Sequence, residues 1–373
     1  MKILIAGDFV ISQSYEASRI TNEVKELFTK SDYNIVNLEA PVTNSGSKIL
    51  KTGPHLKSDK KSTLDILKAL NVDLCTLANN HVLDYDEKGV LETLDFCKVH
   101  NINTVGAGKN QEEAAKVFYL DAEAGKIAIV NIAENEWATA TETSAGANGM
   151  DLINDVKTIQ KAKQQSDFVF VIVHGGHEYY NLPSPRMQKQ YRFYIDNGAD
   201  MVVGHHTHCI SGMETYKNKP IYYSLGNFLF TNSSRFEDWY KGIVLEVEIE
   251  DNNEIKTKPI FVKQEKNDFK LSLIDNDDYG IINERFATYS NTISNHQDLL
   301  ENWDEYIEEK VKLYDNYWSP LSFIKNKWAK KIATRLQLKG DNKKGKALAL
   351  NLMRCEAHYD MSKEVLNSIL DNK

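Results

Sequence analysis

Short apolar runs that end abruptly in polar residues recur along the first two thirds of the chain. Residues 2–6 lead into Gly7-Asp8, and residues 35–38 lead into Glu39. Residues 72–78 lead into Asn79-Asn80-His81, residues 168–173 into His174-Gly175-Gly176-His177-Glu178, and residues 199–203 into Gly204-His205-His206-Thr207-His208. Each run is β-rich and of about strand length. Between them lie segments with helical period, such as Thr63-Leu64-Ile66-Leu67-Leu70 and Val90-Leu91-Leu94-Phe96-Cys97. This alternation predicts an α/β sheet, and such sheets bind ligands outside the carboxyl ends of their strands. After residues 223–228, two alternating segments, 243–249 and 255–262, flank Asp251-Asn252-Asn253 and predict a hairpin that closes the sheet. Residues 1–263 thus read as one α/β unit and residues 264–373 as a mainly helical extension.

Composition narrows the classes. At 373 residues, with 42% hydrophobic and 26% charged side chains, the chain can bury a sizeable core and carry a smaller second region. A net charge of −8 argues against a nucleic-acid partner. Cys75, Cys97, Cys209 and Cys355 are scattered and read as buried reduced thiols. The first apolar run is too short for a signal-peptide core, and no segment approaches a membrane span, so the expected location is the cytoplasm.

The extension is electrically divided. Residues 265–324 carry 13 acidic and 5 basic side chains, whereas residues 325–346 carry 9 basic side chains against Asp341 alone. In and before the basic block, Leu321, Ile324, Trp328, Ile332 and Leu336 form one apolar stripe at helical spacing. The stripe predicts a helix docked on the core with a solvated basic face. The alternative is peripheral contact with an anionic membrane or polymer through 325–346, with Lys325, Lys327, Lys330 and Lys331 as cations and Trp318 and Trp328 as anchors.

The strand ends carry the chemistry. Three imidazoles within residues 205–208, taken alone, fit either metal ligation or a hydrogen-bonded loop. If the segment is extended, His206 and His208 point to the same side and His205 to the other. Five strand ends bearing Asp, Glu, Asn and His shift the reading toward a metal site.

The ordered set is Gly7-Asp8, Asn37-Leu38-Glu39-Ala40-Pro41, Ala78-Asn79-Asn80-His81 with Asp84-Tyr85, Val105-Gly106-Ala107-Gly108, His174-Gly175-Gly176-His177-Glu178-Tyr179, Gly204-His205-His206-Thr207-His208 and residues 223–228. It resembles the CapA-type capsule-synthesis (poly-γ-glutamate) proteins of the calcineurin-like metallophosphoesterase superfamily, from residue 2 to about 230. The resemblance implies a four-layer αββα sandwich holding two divalent metal ions. It implies Asp8, Glu39 and His208 for one ion, and Glu39, Asn80, His174 and His206 for the other, with Glu39 bridging. His81 matches the catalytic histidine, and Asp84 is placed to orient it. Glu178, His177 and Asn79 are the candidates for touching substrate. Oxygen and imidazole ligands without thiolate suit manganese, iron or zinc.

This chain departs from the family pattern in places. Phe9-Val10 follows Asp8 where the superfamily often has a histidine, which removes an imidazole from the first site. Gly175 replaces a bulky aromatic, Asp86 stands where Gly is frequent, and Thr207 where Pro is. The implied function is a dimetal hydrolase in which metal-activated water attacks a phosphoester. The alternatives are a γ-glutamyl amide hydrolase or transferase, and a non-catalytic accessory protein in surface-polymer synthesis. The expected substrate is a small molecule or polymer carrying phosphate or γ-glutamyl groups. His55, His100, His296 and His358 read as structural or surface residues.

Overall fold

A computed structural model describes residues 1–250, 254–318, 326, 328, 329, 331, 332 and 343–371. In chain order its strands are β1 (Lys2–Val10), β2 (Tyr33–Leu38), β3 (Leu74–Thr76), β4 (Asn103–Val105), β5 (Ala107–Gly108), β6 (Phe118–Ala122), β7 (Gly125–Ala133) and β8 (Gly146–Ala147). They continue with β9 (Phe168–His174), β10 (Met201–His205), β11 (Met213–Tyr216), β12 (Lys219–Tyr222), β13 (Asn227–Phe230), β14 (Lys241–Ile249), β15 (Ile255–Gln264) and β16 (Leu271–Leu273). The helices are α1 (Asn22–Thr29), α2 (Lys60–Ala69), α3 (Asp86–Val99), α4 (Gln111–Ala114), α5 (Leu152–Gln165) and α6 (Pro185–Asp196). After the last strand come α7 (Asn276–Ser294), α8 (His296–Trp318), α9 (Lys343–Arg354) and α10 (Glu356–Asp371).

The layering follows from the period-two alternation of each strand. Ile3 and Ile5 of β1 pack with Ile127 and Ile129 of β7 and with Phe168, Phe170 and Ile172 of β9, which makes a core between two sheets. Leu4 and Ala6, the alternate positions, pack instead against Val24 and Phe28 of α1, Ile66 of α2 and Val90 of α3. On the second sheet Val130, Val169, Val171 and Val173 face Ile159 of α5 and Tyr191 and Tyr194 of α6. The order is therefore helix, sheet, sheet, helix, as expected. Strands buried on both faces explain why these runs are continuously apolar.

One sheet has the order β16-β15-β14-β1-β2-β3-β4, with β13 also pairing the end of β1; the other has β11-β12-β10-β9-β7-β6. β1 through β4 are parallel, as are β7, β9, β10 and β12. The predicted hairpin is β14 against β15, antiparallel with Ile249 opposite Ile255, while its Asp251-Asn252-Asn253 turn lies outside the described residues. Strand β16 extends this sheet past residue 263, where the α/β unit was expected to end.

The four cysteines are buried and unpaired in disulfides. No helix among the described residues is long and apolar enough to cross a membrane. In the basic block, Trp328 and Ile332 are 74% and 56% exposed, so at these two positions the stripe does not dock. Leu321, Ile324, Leu336, Lys325, Lys327 and Lys330 lie outside the described residues.

A buried acid of α5 yields a stability prediction. Asp155 accepts a 2.8 Å hydrogen bond from the Tyr194 hydroxyl, and burial pushes its carboxyl up to about 7. Between its unfolded value near ~3.9 and this folded value, the folded chain holds a proton that the unfolded chain releases, so stability falls as pH rises through that window. Asp155→Asn removes the loss. Its advantage over the parent is expected to be already present at pH ~5 and to grow by about 2 kcal/mol from there to pH ~8 in urea unfolding. An equal difference at both pH values would refute this account.

Candidate metal centre

The parallel strands of both sheets deliver their carboxyl ends to one place. β1 is bulged at Asp8, where its register with β2 slips, and the Asp8 amide donates to the Gly226 carbonyl at 3.0 Å. That approach needs the glycine before it, since a Cβ at Gly7 would lie 2.0 Å from the same carbonyl oxygen. Glu39 follows β2, and its amide donates to the Phe9 carbonyl at 3.2 Å, which locks it beside the bulge. His174 ends β9, and β10 ends at His205.

The next two histidines are not in extended chain. His206 and His208 have φ of +92° and +57°, so a left-handed turn brings their rings inward, not the strand alternation expected from sequence.

Glu39 is the centre of the arrangement. It is fully buried, and neither carboxylate oxygen has a hydrogen-bond partner among the described residues. Its Oε1 lies 3.7 Å from His174 Nε2 and 3.7 Å from His208 Nε2. Around it are two groups of ligand-competent atoms, each mutually within 4.8 Å: Asp8, Glu39 and His208, and Glu39, His174 and His206. Asn80 Oδ1 is 3.1 Å from His174 Nε2, and His206 Nδ1 is 3.1 Å from that same nitrogen.

The electrostatics describe an anion lacking compensation. Burial and the neighbouring Asp8 push the Glu39 carboxyl well above its ordinary range. Burial also opposes ionisation of Asp8, but His205 and His208 hold that carboxyl well below the usual value. For His208, burial is outweighed by Glu39 and Asp8, which raise it to about 10. Burial and His206 drive His174 well down, toward the bare imidazole that ligates metal. An unpartnered buried carboxylate among imidazoles and an amide oxygen fits divalent cations, which would remove the cost of ionising Glu39.

Amides orient the rings. Asn227 Nδ2 donates to the Trp239 carbonyl at 3.0 Å, so its Oδ1, 2.9 Å from His208 Nδ1, accepts from that nitrogen and directs Nε2 toward Glu39 as the nitrogen that a cation would deprotonate. Asn37 donates to Asp8 Oδ1 at 2.7 Å and lies 3.0 Å from His174 Nδ1, joining the two sheets.

Beside the centre, His81 Nδ1 is 2.6 Å from Asp84 Oδ2, and the Leu56 amide donates to the same oxygen at 2.7 Å. Lys51, buried, donates to Asp84 Oδ1 and brings its ammonium 3.1 Å from His81 Nδ1. Burial and Lys51 lower His81, while His81 and Lys51 together overcome burial to lower Asp84. Removing one partner of a buried ion pair is costly. Lys51→Met is therefore expected to lose about 3 kcal/mol in thermal or urea unfolding, and Lys51→Met/Asp84→Asn to recover part of it. Additive losses would show that the pair does not act as one.

The remaining candidates separate. His177 and Glu178 line a pocket that also touches His206; His177 is buried, against Trp303 at 4.9 Å, and Glu178 is exposed. Asn79, expected at substrate, is instead fully buried. Its amide donates to the Leu38 carbonyl (3.0 Å) and accepts from the His81 amide (3.1 Å), so both polar ends serve the loop. His205 is buried, 3.4 Å from Asp8 Oδ1, rather than turned away from the site. Asp86 has φ +64°, which explains why glycine is favoured there. At Gly175 a Cβ would meet Glu134 Cγ at 2.6 Å, so an acid occupies the space a larger side chain would need.

Sequence reasoning missed Lys51, Glu134 and Glu136, and gave Asn37, quoted within its motif, no role. Glu134 accepts from the Gly176 amide (3.0 Å) and pairs with Arg186 (2.6 Å); Glu136 lies 3.6 Å from His206 Nε2. The signal for these two glutamates is the apolar run of β7, a sixth strand ending in acid.

Comparison with known proteins bears on this centre. The chain is 34% identical over 233 residues to the PGA biosynthesis protein CapA of Bacillus subtilis (strain 168), which covers 61% of each protein. It is 33% identical over 229 residues to the capsule biosynthesis protein CapA of Bacillus anthracis, covering 59% of this chain and 56% of that relative. A Mycobacterium tuberculosis protein named "Probable polyglutamine synthesis accessory protein" is 27% identical over 228 residues, 58% of each. The alignments thus span a little over half the length of these curated relatives. Among solved structures, a phosphatase of Mycoplasma pneumoniae aligns with a TM-score of 0.45 at 16% identity, covering 72% of this chain and 95% of that one. Residues 2–232, which contain every residue of the two ligand groups, match the family described as bacterial capsule synthesis protein PGA_cap, and the chain belongs to that family.

Proposed function

We propose that this chain is a divalent-metal-dependent hydrolase in capsule or poly-γ-glutamate synthesis, acting on a phosphoester. The observation that carries the reading is Glu39, buried with both oxygens unpartnered between two ligand-competent groups. In this reading Asp8, Glu39 and His208 hold one cation, and Glu39, Asn80, His174 and His206 the other, with manganese, iron or zinc matching the donor set. Cations bound there supply Lewis acidity toward a phosphoryl or acyl oxygen and make water a stronger acid.

The chain's own residues do the rest. Asn227 and Asn37 orient His208 and His174. His81, held through Nδ1 by Asp84, keeps Nε2 for proton transfer with the reacting oxygens. Lys51 secures Asp84 and disfavours a second proton on His81.

The test is turnover by purified chain loaded with manganese, iron(II) or zinc on an aryl phosphate, an aryl phosphodiester and poly-γ-glutamate. Metal-dependent hydrolysis of either phosphate supports the proposal, and release from polyglutamate alone moves it to a γ-glutamyl amide. A second reading, a non-catalytic accessory protein, is favoured by the Mycobacterium tuberculosis relative's name. Less than one metal equivalent per chain after chelator-free purification, with no turnover on added manganese, selects it.

A further inference from the structure

The helices after residue 275 lie beyond the family match, yet they are bound to the loops around the metal centre. Glu356, at the start of α10, accepts from the Asn135 amide at 2.8 Å and from its side-chain amide at 2.7 Å. Asp360 accepts from Arg186 Nε at 2.6 Å, and Arg186 also holds Glu134. From α8, Trp303 lies on His177 and Tyr306 stacks on Tyr180 with ring centroids 4.0 Å apart. Trp303, Ile307 and Tyr314 of α8 form a core with Leu352 of α9 and Met361 and Val365 of α10.

Where these helices meet the α/β layers there is a pocket of about 250 Å³. Glu136 and His206 form the side next to the metal centre, His177 and Glu178 come from the loop after β9, and Lys310 and His358 from the helices. Lys310 is half-buried. Its Nζ lies 4.8 Å over the Tyr306 ring, and it has no carboxylate partner among the described residues. His177 is 6% exposed, and its Nε2 has no hydrogen-bond partner among the described residues. An ammonium without a carboxylate partner and an unsatisfied ring nitrogen lining the same pocket are chemistry for an oxyanion. Glu136, held near His206, and Glu178 at the exposed edge repel an anion from their own sides and direct it toward Lys310.

The geometry points to a substrate pocket completed by α8 and α10, in which Lys310 and His177 hold an oxyanion of the ligand, a carboxylate or a phosphate, apart from the group that reacts. It deepens the hydrolase reading only in naming that second group; the oxyanion site itself is open to test without turnover.

The experiment is equilibrium binding of tri-γ-glutamate and of propane-1,3-diol bisphosphate to the full chain, both metal-loaded and chelator-treated. The parent is expected to bind at least one probe in both states, and which one identifies the carboxylate or the phosphate. Lys310→Glu should weaken that binding about tenfold or more, and Lys310→Arg should restore it to within about threefold. Lys363→Glu, exposed on α10 away from the pocket, should stay within about twofold of the parent. Parental binding by Lys310→Glu, or no binding of either probe by the parent, would overturn the inference. Lys310-dependent binding without hydrolysis of any substrate keeps the pocket and removes the hydrolase. Hydrolysis with Lys310-independent binding does the reverse.

Discussion

Glu39→Gln is expected to lower the metal retained by the chain about 100-fold in affinity and any metal-dependent hydrolysis by about a thousandfold. No other side chain belongs to both ligand-competent groups, so its charge is the one that both share. Glutamine keeps the shape and one oxygen but loses the anion. The same substitution should act oppositely on the metal-free fold. Burial and Asp8 make an ionised Glu39 costly, so the neutral amide should raise the melting temperature of chelator-treated protein while reducing the further rise that manganese gives the parent. Metal content by elemental analysis and melting curves with and without chelator read both effects. Parental metal content in Glu39→Gln would remove the shared-carboxylate assignment.

Most of the scaffold was legible because each strand alternates between two apolar faces and then stops at a polar residue. Ile3 and Ile5 against Leu4 and Ala6 already encode a sheet covered on both sides. The candidate centre was legible because Asp8, Glu39, Asn80, His174 and the 206/208 pair each terminate such a run or follow it closely. How the last pair points inward was not, since it depends on positive φ angles that no alternation predicts. Lys51 was invisible for a different reason. It sits in a loop without periodicity, 30 residues before His81, and only the tertiary fold brings its ammonium to Asp84. His358 read as a surface residue because nothing near it in sequence suggests a site. It reaches the pocket through α10, with Tyr314 Oη 2.7 Å from its Nδ1. Helical spacing predicts an apolar stripe, but not which surface that stripe covers.

His81→Ala is expected to separate chemistry from metal binding. His81 belongs to neither ligand-competent group, and its Nδ1 is engaged by Asp84, so the substitution should leave metal content at the parental level. Its effect on turnover should depend on the leaving group. An aryl oxide departs without a proton, and the loss on an aryl phosphate should be about tenfold; an alkoxide needs the proton, and the loss on an alkyl phosphate should be about a thousandfold. Burial and Lys51 hold His81 below its ordinary value, so at neutral pH it starts without the second proton, takes up the one that the attacking water loses, and passes a proton to the leaving oxygen. The parent's acid limb in kcat/KM should therefore fall below pH ~6.5, and Lys51→Met, which removes the nearby positive charge, should move it to higher pH. Equal losses on aryl and alkyl substrates would deny His81 the proton transfer. Metal loss in His81→Ala would instead make it a support of the ligand cluster.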